Sequence, residues 1–182
     1  MNKNLFGIIC LYIVMYVGFI FCTELPGLLT PYCWISFGIL AAFLAAGPLT
    51  VFIHKTGSPL LLPIVWLFVN IAMGELGMTL IQAGMLCLLT IGAILSIVYR
   101  NDQQKMMRTC VPVLVAMPSC GLLPLYFQTK EYGQAALEEM GAEYVEQMLG
   151  CAHLWLFFVV SALVIGAGIV SQRLTEKHFI KA

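Results

Sequence analysis

The chain has 182 residues, 61% of them hydrophobic and 10% charged, with nine Lys or Arg balanced by nine Asp or Glu, and a mean hydropathy of +0.95. Soluble domains carry roughly 25% charged residues, so this chain has too few to cover a water-facing surface, and its zero net charge removes the basic footprint of a nucleic-acid binder. Its solvent is lipid, and at about 20 apolar residues per crossing it has room for six spans, short loops and no large extramembrane domain.

Apolar runs bounded by Pro, Gly or charge predict spans over residues 5–22, 32–53, 59–74, 77–99, 109–127 and 150–172. Segments apolar on every side are read as helices, because lipid offers the backbone no hydrogen-bond partner and each amide must be satisfied within the span. The alternation that a membrane β-barrel requires is absent. The first run follows Lys3 but is too long for a signal-peptide core, and no small-residue cleavage site follows Phe21, Cys22, Thr23 and Glu24. It is expected to stay as a helix. The fold class expected is therefore an all-α integral membrane protein, a single membrane domain over residues 1–182 with six transmembrane helices, in a bacterial plasma membrane.

Lys and Arg resist translocation and mark the cytoplasmic side. With six spans and the N-terminus inside, the inner segments hold Lys3, Lys55, Arg100, Lys105, Arg108, Arg173, Lys177 and Lys181, and the outer segments hold only Lys130. Acidic residues run the other way: Glu24, Glu75, Glu131, Glu138, Glu139, Glu143 and Glu146 fall outside, Asp102 and Glu176 inside. Both termini are expected in the cytoplasm. Cys22 and Cys33 fall near the outer face and allow a disulfide in an oxidising compartment, but seven cysteines without framework or Cys/His ligand spacing predict no zinc site.

The longest polar stretch, about residues 128–149, lies outside. Tyr132, Ala136, Met140, Tyr144 and Met148 recur every four residues with Glu138, Glu139, Glu143 and Glu146 between them, the pattern of an amphipathic helix. Such a helix rests either on the bundle as a structural cap or over a pocket as a lid, and Gly133 and Gly141 would loosen it. Glu138 and Glu139 are followed by Glu143 where the EExxxR pattern of intramembrane proteases needs Arg. No Ser/His/Asp, HExxH, GxSxG or P-loop pattern occurs, so no catalytic residues, no ATPase and no intrinsic cofactor are expected.

Polar groups in or beside spans are costly in hydrocarbon and are functional candidates by default: His54, Asn70, Glu75, Gln82 and His153. His54 and Lys55 read as a polar cap on the second span. Glu75, in the turn Met73-Gly74-Glu75-Leu76-Gly77, reads as a solvated turn or a ligand contact. His153 stands one turn into the last span beside Trp155, as an interfacial anchor or a ligand contact. Small residues gather at Ala41, Ala42, Ala45, Ala46 and Gly47 and at Ala162, Gly166, Ala167 and Gly168, where small-xxx-small spacing lets helices approach closely, either within the bundle or against another subunit. Pro118-Ser119-Cys120-Gly121-Leu122-Leu123-Pro124 predicts a kink in the fifth span.

Ala45-Ala46-Gly47-Pro48 before the basic His54-Lys55 loop, Ala142-Glu143-Tyr144 in the external loop and the tail Lys177-His178-Phe179-Ile180-Lys181-Ala182 together resemble the MptD or Trep_Strep family, regarded as substrate-specific S components of energy-coupling factor (ECF) transporters. The resemblance implies a six-helix substrate-binding bundle that captures a vitamin- or cofactor-like molecule at the outer face. It also implies partnership with a membrane T subunit and two cytoplasmic ATPase subunits. One departure is that Phe6-Gly7-Ile8-Ile9-Cys10-Leu11 lacks the AxxxA-like coupling patch often found on the first span of S components. Ala41 and Ala45, with Gly47 and Pro48, are the candidate replacement. Trp66, Tyr126, Tyr132, Tyr144, Trp155, His153, Met140 and Glu75 are the candidate substrate contacts, since aromatic faces stack on flat molecules. Haem is one candidate substrate, with His153, Tyr144, Met140 and Met148 as axial donors. Two other classes stay open: a stand-alone secondary transporter, which would need buried charge near mid-membrane, and a structural membrane protein with no ligand.

Overall fold

The computed structural model describes residues 6, 7, 10, 30–73 and 78–180. The predicted first span therefore lies almost wholly outside the described residues, as do Cys22 and Glu75. Among the described residues every regular element is helical.

Helix α1, Pro31–Thr56, begins where Thr30 stands in extended conformation and its hydroxyl oxygen accepts from Tyr32 N at 3.1 Å, with Pro31 at the first helical position, where its missing N–H costs nothing. It ends at Gly57, whose φ of 68° places it in the left-handed region while its N–H bonds back to Ile53 O at 2.7 Å. Helix α2, Leu61–Met73, has 13 residues, about 20 Å at 1.5 Å per residue. It falls within the third predicted span, 59–74, and ends where the described residues break off. Helix α3, Met78–Val98, follows.

The fifth predicted span starts earlier than residue 109. Helix α4, Gln103–Leu114, is capped by Asp102, whose Oδ1 accepts from Lys105 N at 3.0 Å. The chain then tightens into a 3-10 stretch, Met117–Leu122, and resumes as α5, Leu123–Phe127. The prolines at 118 and 124 fall where the kink was expected. The segment expected outside is two helices, α6 Thr129–Met140 and α7 Ala142–Gly150, where one amphipathic helix was expected. The cause is Gly141, whose φ of 85° and ψ of 169° lie in a region open essentially to glycine alone. The last helix, α8, Leu154–Thr175, starts four residues later than expected and continues as a π-helical turn, Glu176–Ile180.

Pro31–Thr56, Thr79–Val98, Gln103–Phe127 and Leu154–Ile180 are long and apolar enough to cross a membrane. Helix α1 and the α4–α5 segment are central, whereas α3 and α8 turn rows of Leu86, Ile91, Ile94, Ile97 and Trp155, Phe158, Leu163, Val170 outward. Such apolar rows are intolerable in water and natural against acyl chains.

The packing uses close approaches. Helix α1 lies along α8, with Ala42, Ala46, Leu49, Phe52 and Ile53 fully buried. A β-carbon at Gly38 would stand 2.8 Å from Ser119 Oγ, and one at Gly168 would stand 2.6 Å from Val115 Cγ2. Association in lipid depends on such contacts, because the hydrophobic effect does not separate helix from tail.

The helices sort charge to two ends. Gln103 Nε2 donates to the carbonyls of Ile53 and His54, each at 2.9 Å, tying the last turn of α1 to the first turn of α4. Arg108 in α4 reaches Glu176 after α8 at 3.4 Å. Lys55, Arg100, Lys105, Arg108, Arg173 and Lys177 therefore belong to one end of the bundle. At the other end α6 and α7 carry exposed Glu131, Glu138, Glu139, Glu143 and Glu146, and α7 packs on α1.

Candidate functional site

Two places in the bundle gather polar and aromatic groups. The first is the acidic end, beneath α6 and α7. Their apolar stripes face inward: Ala136, Val145 and Met148 are buried, and Tyr132 and Tyr144 pack half-buried on the same core. Met140, half-buried, closes α6 just before the Gly141 break. Burial raises the Tyr144 hydroxyl above its ordinary value of 10.0, so it stays a neutral donor at physiological pH. Cys151, in the turn between α7 and α8, is likewise pushed up by burial, and a hydrogen bond from Tyr32 at the start of α1 draws it partly back.

Below these helices Tyr126 of α5 meets Phe157 of α8 edge to face, with ring centroids 5.2 Å apart at 61°. Phe127 and Phe158 extend the contact, at 5.9 Å and 5.7 Å from Phe157. The Tyr126 hydroxyl and the Ser119 hydroxyl in the 3-10 stretch are both buried with no hydrogen-bond partner. Two unpaired hydroxyls in an apolar bundle are an anomaly, since each costs about 1–3 kcal/mol when left unsatisfied, and native interiors keep few. Both lie on the segment that two prolines interrupt.

The other expected contacts scatter. Trp66 is buried in α2. His153 is exposed at the N-cap of α8, where its side chain makes no capping bond. Trp155 is 64% exposed, on the outer surface of α8. Met148 is 1% exposed and committed to the core. Glu75 lies outside the described residues. The structure thus packs Tyr126, Tyr132 and Tyr144 half-buried against the core and leaves His153 and Trp155 on the surface. Phe157 was missed by the sequence reading, although its place two residues after Trp155, inside an aromatic run, was the available signal. Ala41 and Ala45, 3% exposed, are occupied by packing within the chain, which leaves them no surface for a partner subunit. Gly47 and Pro48 are half-buried, and a β-carbon at Gly47 would stand 3.2 Å from Thr175 Oγ1 of α8.

The second place is the basic end. An open cleft of about 560 Å³ is lined by Arg108, Ile169, Gln172, Arg173, Glu176 and Lys177. Glu176 is the one buried charge among the described residues. One carboxylate oxygen accepts from Gln172 Nε2 at 3.1 Å and the other from Arg108 at 3.4 Å. The sequence reading had Glu176 only as an inside acid. The signal for its burial was Gln172 one helical turn before it, on the same face.

Four long apolar helices among the described residues, lipid-facing rows and charge sorted to two ends define a multi-pass, all-helical membrane protein. The chain belongs to the Trep_Strep family, described as hypothetical bacterial integral membrane proteins, whose family model matches residues 5–181. No curated protein and no solved structure matches the chain.

Proposed function

We propose that the chain is the substrate-binding S component of an ECF-type ATP-driven importer, with six spans, both termini in the cytoplasm and the acidic end facing out. Eight of the nine Lys and Arg residues fall on the side this orientation assigns to the cytoplasm, and the basic end tied together by Gln103 and Arg108 supports it. The observation that supports the binding role is the buried, unpartnered Tyr126 hydroxyl in an aromatic cluster at the acidic end, which also carries two amphipathic helices broken at Gly141, with a second unpartnered hydroxyl, that of Ser119, on the same interrupted segment. Unpaired donors of this kind suit a small molecule that supplies the missing acceptors and stacks on rings. A vitamin- or cofactor-like substrate fits, and haem is one such candidate.

The chain acts without an ATPase of its own and is not an enzyme, so a membrane T subunit and two cytoplasmic ATPases supply the work. A stand-alone secondary carrier is less well supported, because the buried charge among the described residues is Glu176 at the basic end and not at mid-membrane. Affinity purification of the tagged chain from its own host in mild detergent tests the reading. It predicts co-elution of a T subunit and two ATPases. Elution of the chain alone, under conditions that keep other ABC importers whole, would contradict it. For haem, a Soret band that disappears on His153→Ala supports ligation, and a band that persists unchanged excludes His153 as the ligand.

A further inference from the structure

We propose that the cleft at the basic end is a binding site for the phosphodiester headgroup of an anionic phospholipid. Its walls come from α4 and from one face of α8: Ile169, Arg173 and Lys177 follow one another at four-residue spacing, and Gln172 and Glu176 form the adjacent row. Arg108 is already paired with the buried Glu176, whose other oxygen is held by Gln172. Arg173 and Lys177 have no ion-pair partner among the described residues. The cleft therefore presents two uncompensated cations, set around a neutralised pair that fixes the third wall. A guanidinium and an ammonium in this arrangement suit a phosphate, which accepts charge-assisted hydrogen bonds from both.

The surroundings select a lipid. The cleft volume of about 560 Å³ lies within the roughly 300–1,000 Å³ typical of small-molecule sites, ample for a glycerophosphate group. The row that ends at Arg173 and Lys177 begins at Ile165, which is exposed, and Val170 and Leu174 are exposed beside it. A headgroup in the cleft thus leaves its acyl chains along an apolar, lipid-facing row. Basic recesses between membrane helices bind anionic headgroups in this way.

Thermal unfolding of the full chain in neutral detergent, with short-chain phosphatidylglycerol, short-chain phosphatidylcholine or inorganic phosphate added, tests the proposal. Phosphatidylglycerol is expected to raise the midpoint saturably, while the other two do not. The double variant Arg173→Gln/Lys177→Gln, whose side chains are exposed, is expected to bind phosphatidylglycerol about tenfold more weakly. Lys105→Gln, an exposed cation paired with Asp102 and outside the cleft, is expected to match the wild type. On the wild-type chain, added salt is expected to weaken the phosphatidylglycerol shift. An equal shift with phosphatidylcholine or with inorganic phosphate, an unaltered affinity in the double variant, or a shift indifferent to salt would each overturn the site.

Discussion

Gly168 sits where α8 crosses α4, and a β-carbon there would stand 2.6 Å from Val115 Cγ2. Gly168→Ala should therefore cost about 1–3 kcal/mol through overpacking, read as a lower unfolding midpoint in detergent, and Val115→Ala in the same chain should recover much of it. Gly166→Ala, whose β-carbon would meet open space, should not lower the midpoint, since it replaces a weak helix former inside α8. Asp102 offers a pH reading. The Lys105 backbone N–H, opposed by desolvation and helped by the Lys105 side chain, holds its carboxyl below the ordinary value of 3.8. A carboxyl depressed on folding stabilises above its unfolded pKa and loses that contribution as pH falls through the folded one. The midpoint difference between wild type and Asp102→Asn should thus be constant from pH 7 to about pH 5 and shrink toward zero below about 3.8. Parity of the two chains at neutral pH would contradict the charged cap. Among single residues, the small-residue stripes were visible in the sequence, but which of them pack inward was not. Ala41 and Ala45 differ from Ala162 in the neighbour each faces, and a helical pattern that is apolar all round carries no face.

Gly141 decides how the α6–α7 segment behaves as an element. Its φ of 85° and ψ of 169° make Gly141→Ala a strained substitution costing about 1–3 kcal/mol, and hydrogen exchange should report it as faster exchange across α6 and α7. Gly133→Ala places its β-carbon at an ordinary 3.6 Å from Leu149 Cδ2 in a regular helix, so it should slow exchange there by removing a weak helix former. Exchange rates that respond alike to both would contradict the hinge. The amphipathic period of this segment was legible because a water-facing side and a bundle-facing side differ in polarity. Its break was not, since a helical glycine and a hinge glycine look the same in sequence. The Pro118–Pro124 interruption was legible for the opposite reason: proline removes a donor wherever it stands.

For the molecule as a whole, the division of charge between two ends was the most legible feature, because translocation cost acts on Lys and Arg regardless of packing. The candidate binding residues were legible only in part. Tyr126, Tyr132 and Tyr144 stood out as aromatic residues near one face, whereas Phe157 and the orphaned Ser119 hydroxyl follow from how a kinked helix meets α1 and α8. Orientation has its own check: Lys130→Cys, exposed in α6, should gain labelling by a membrane-impermeant thiol reagent on intact cells relative to the wild type, and Lys105→Cys should not. The reverse pattern would place the acidic end in the cytoplasm. The central claim, that the bundle captures a small molecule beneath α6 and α7, is tested most directly by mass spectrometry and absorbance of the chain purified from its own host in mild detergent. The account predicts one stoichiometric small molecule, with its occupancy reduced in Tyr126→Phe. The absence of any such molecule, together with no thermal shift across vitamins, tetrapyrroles and metals, would contradict it.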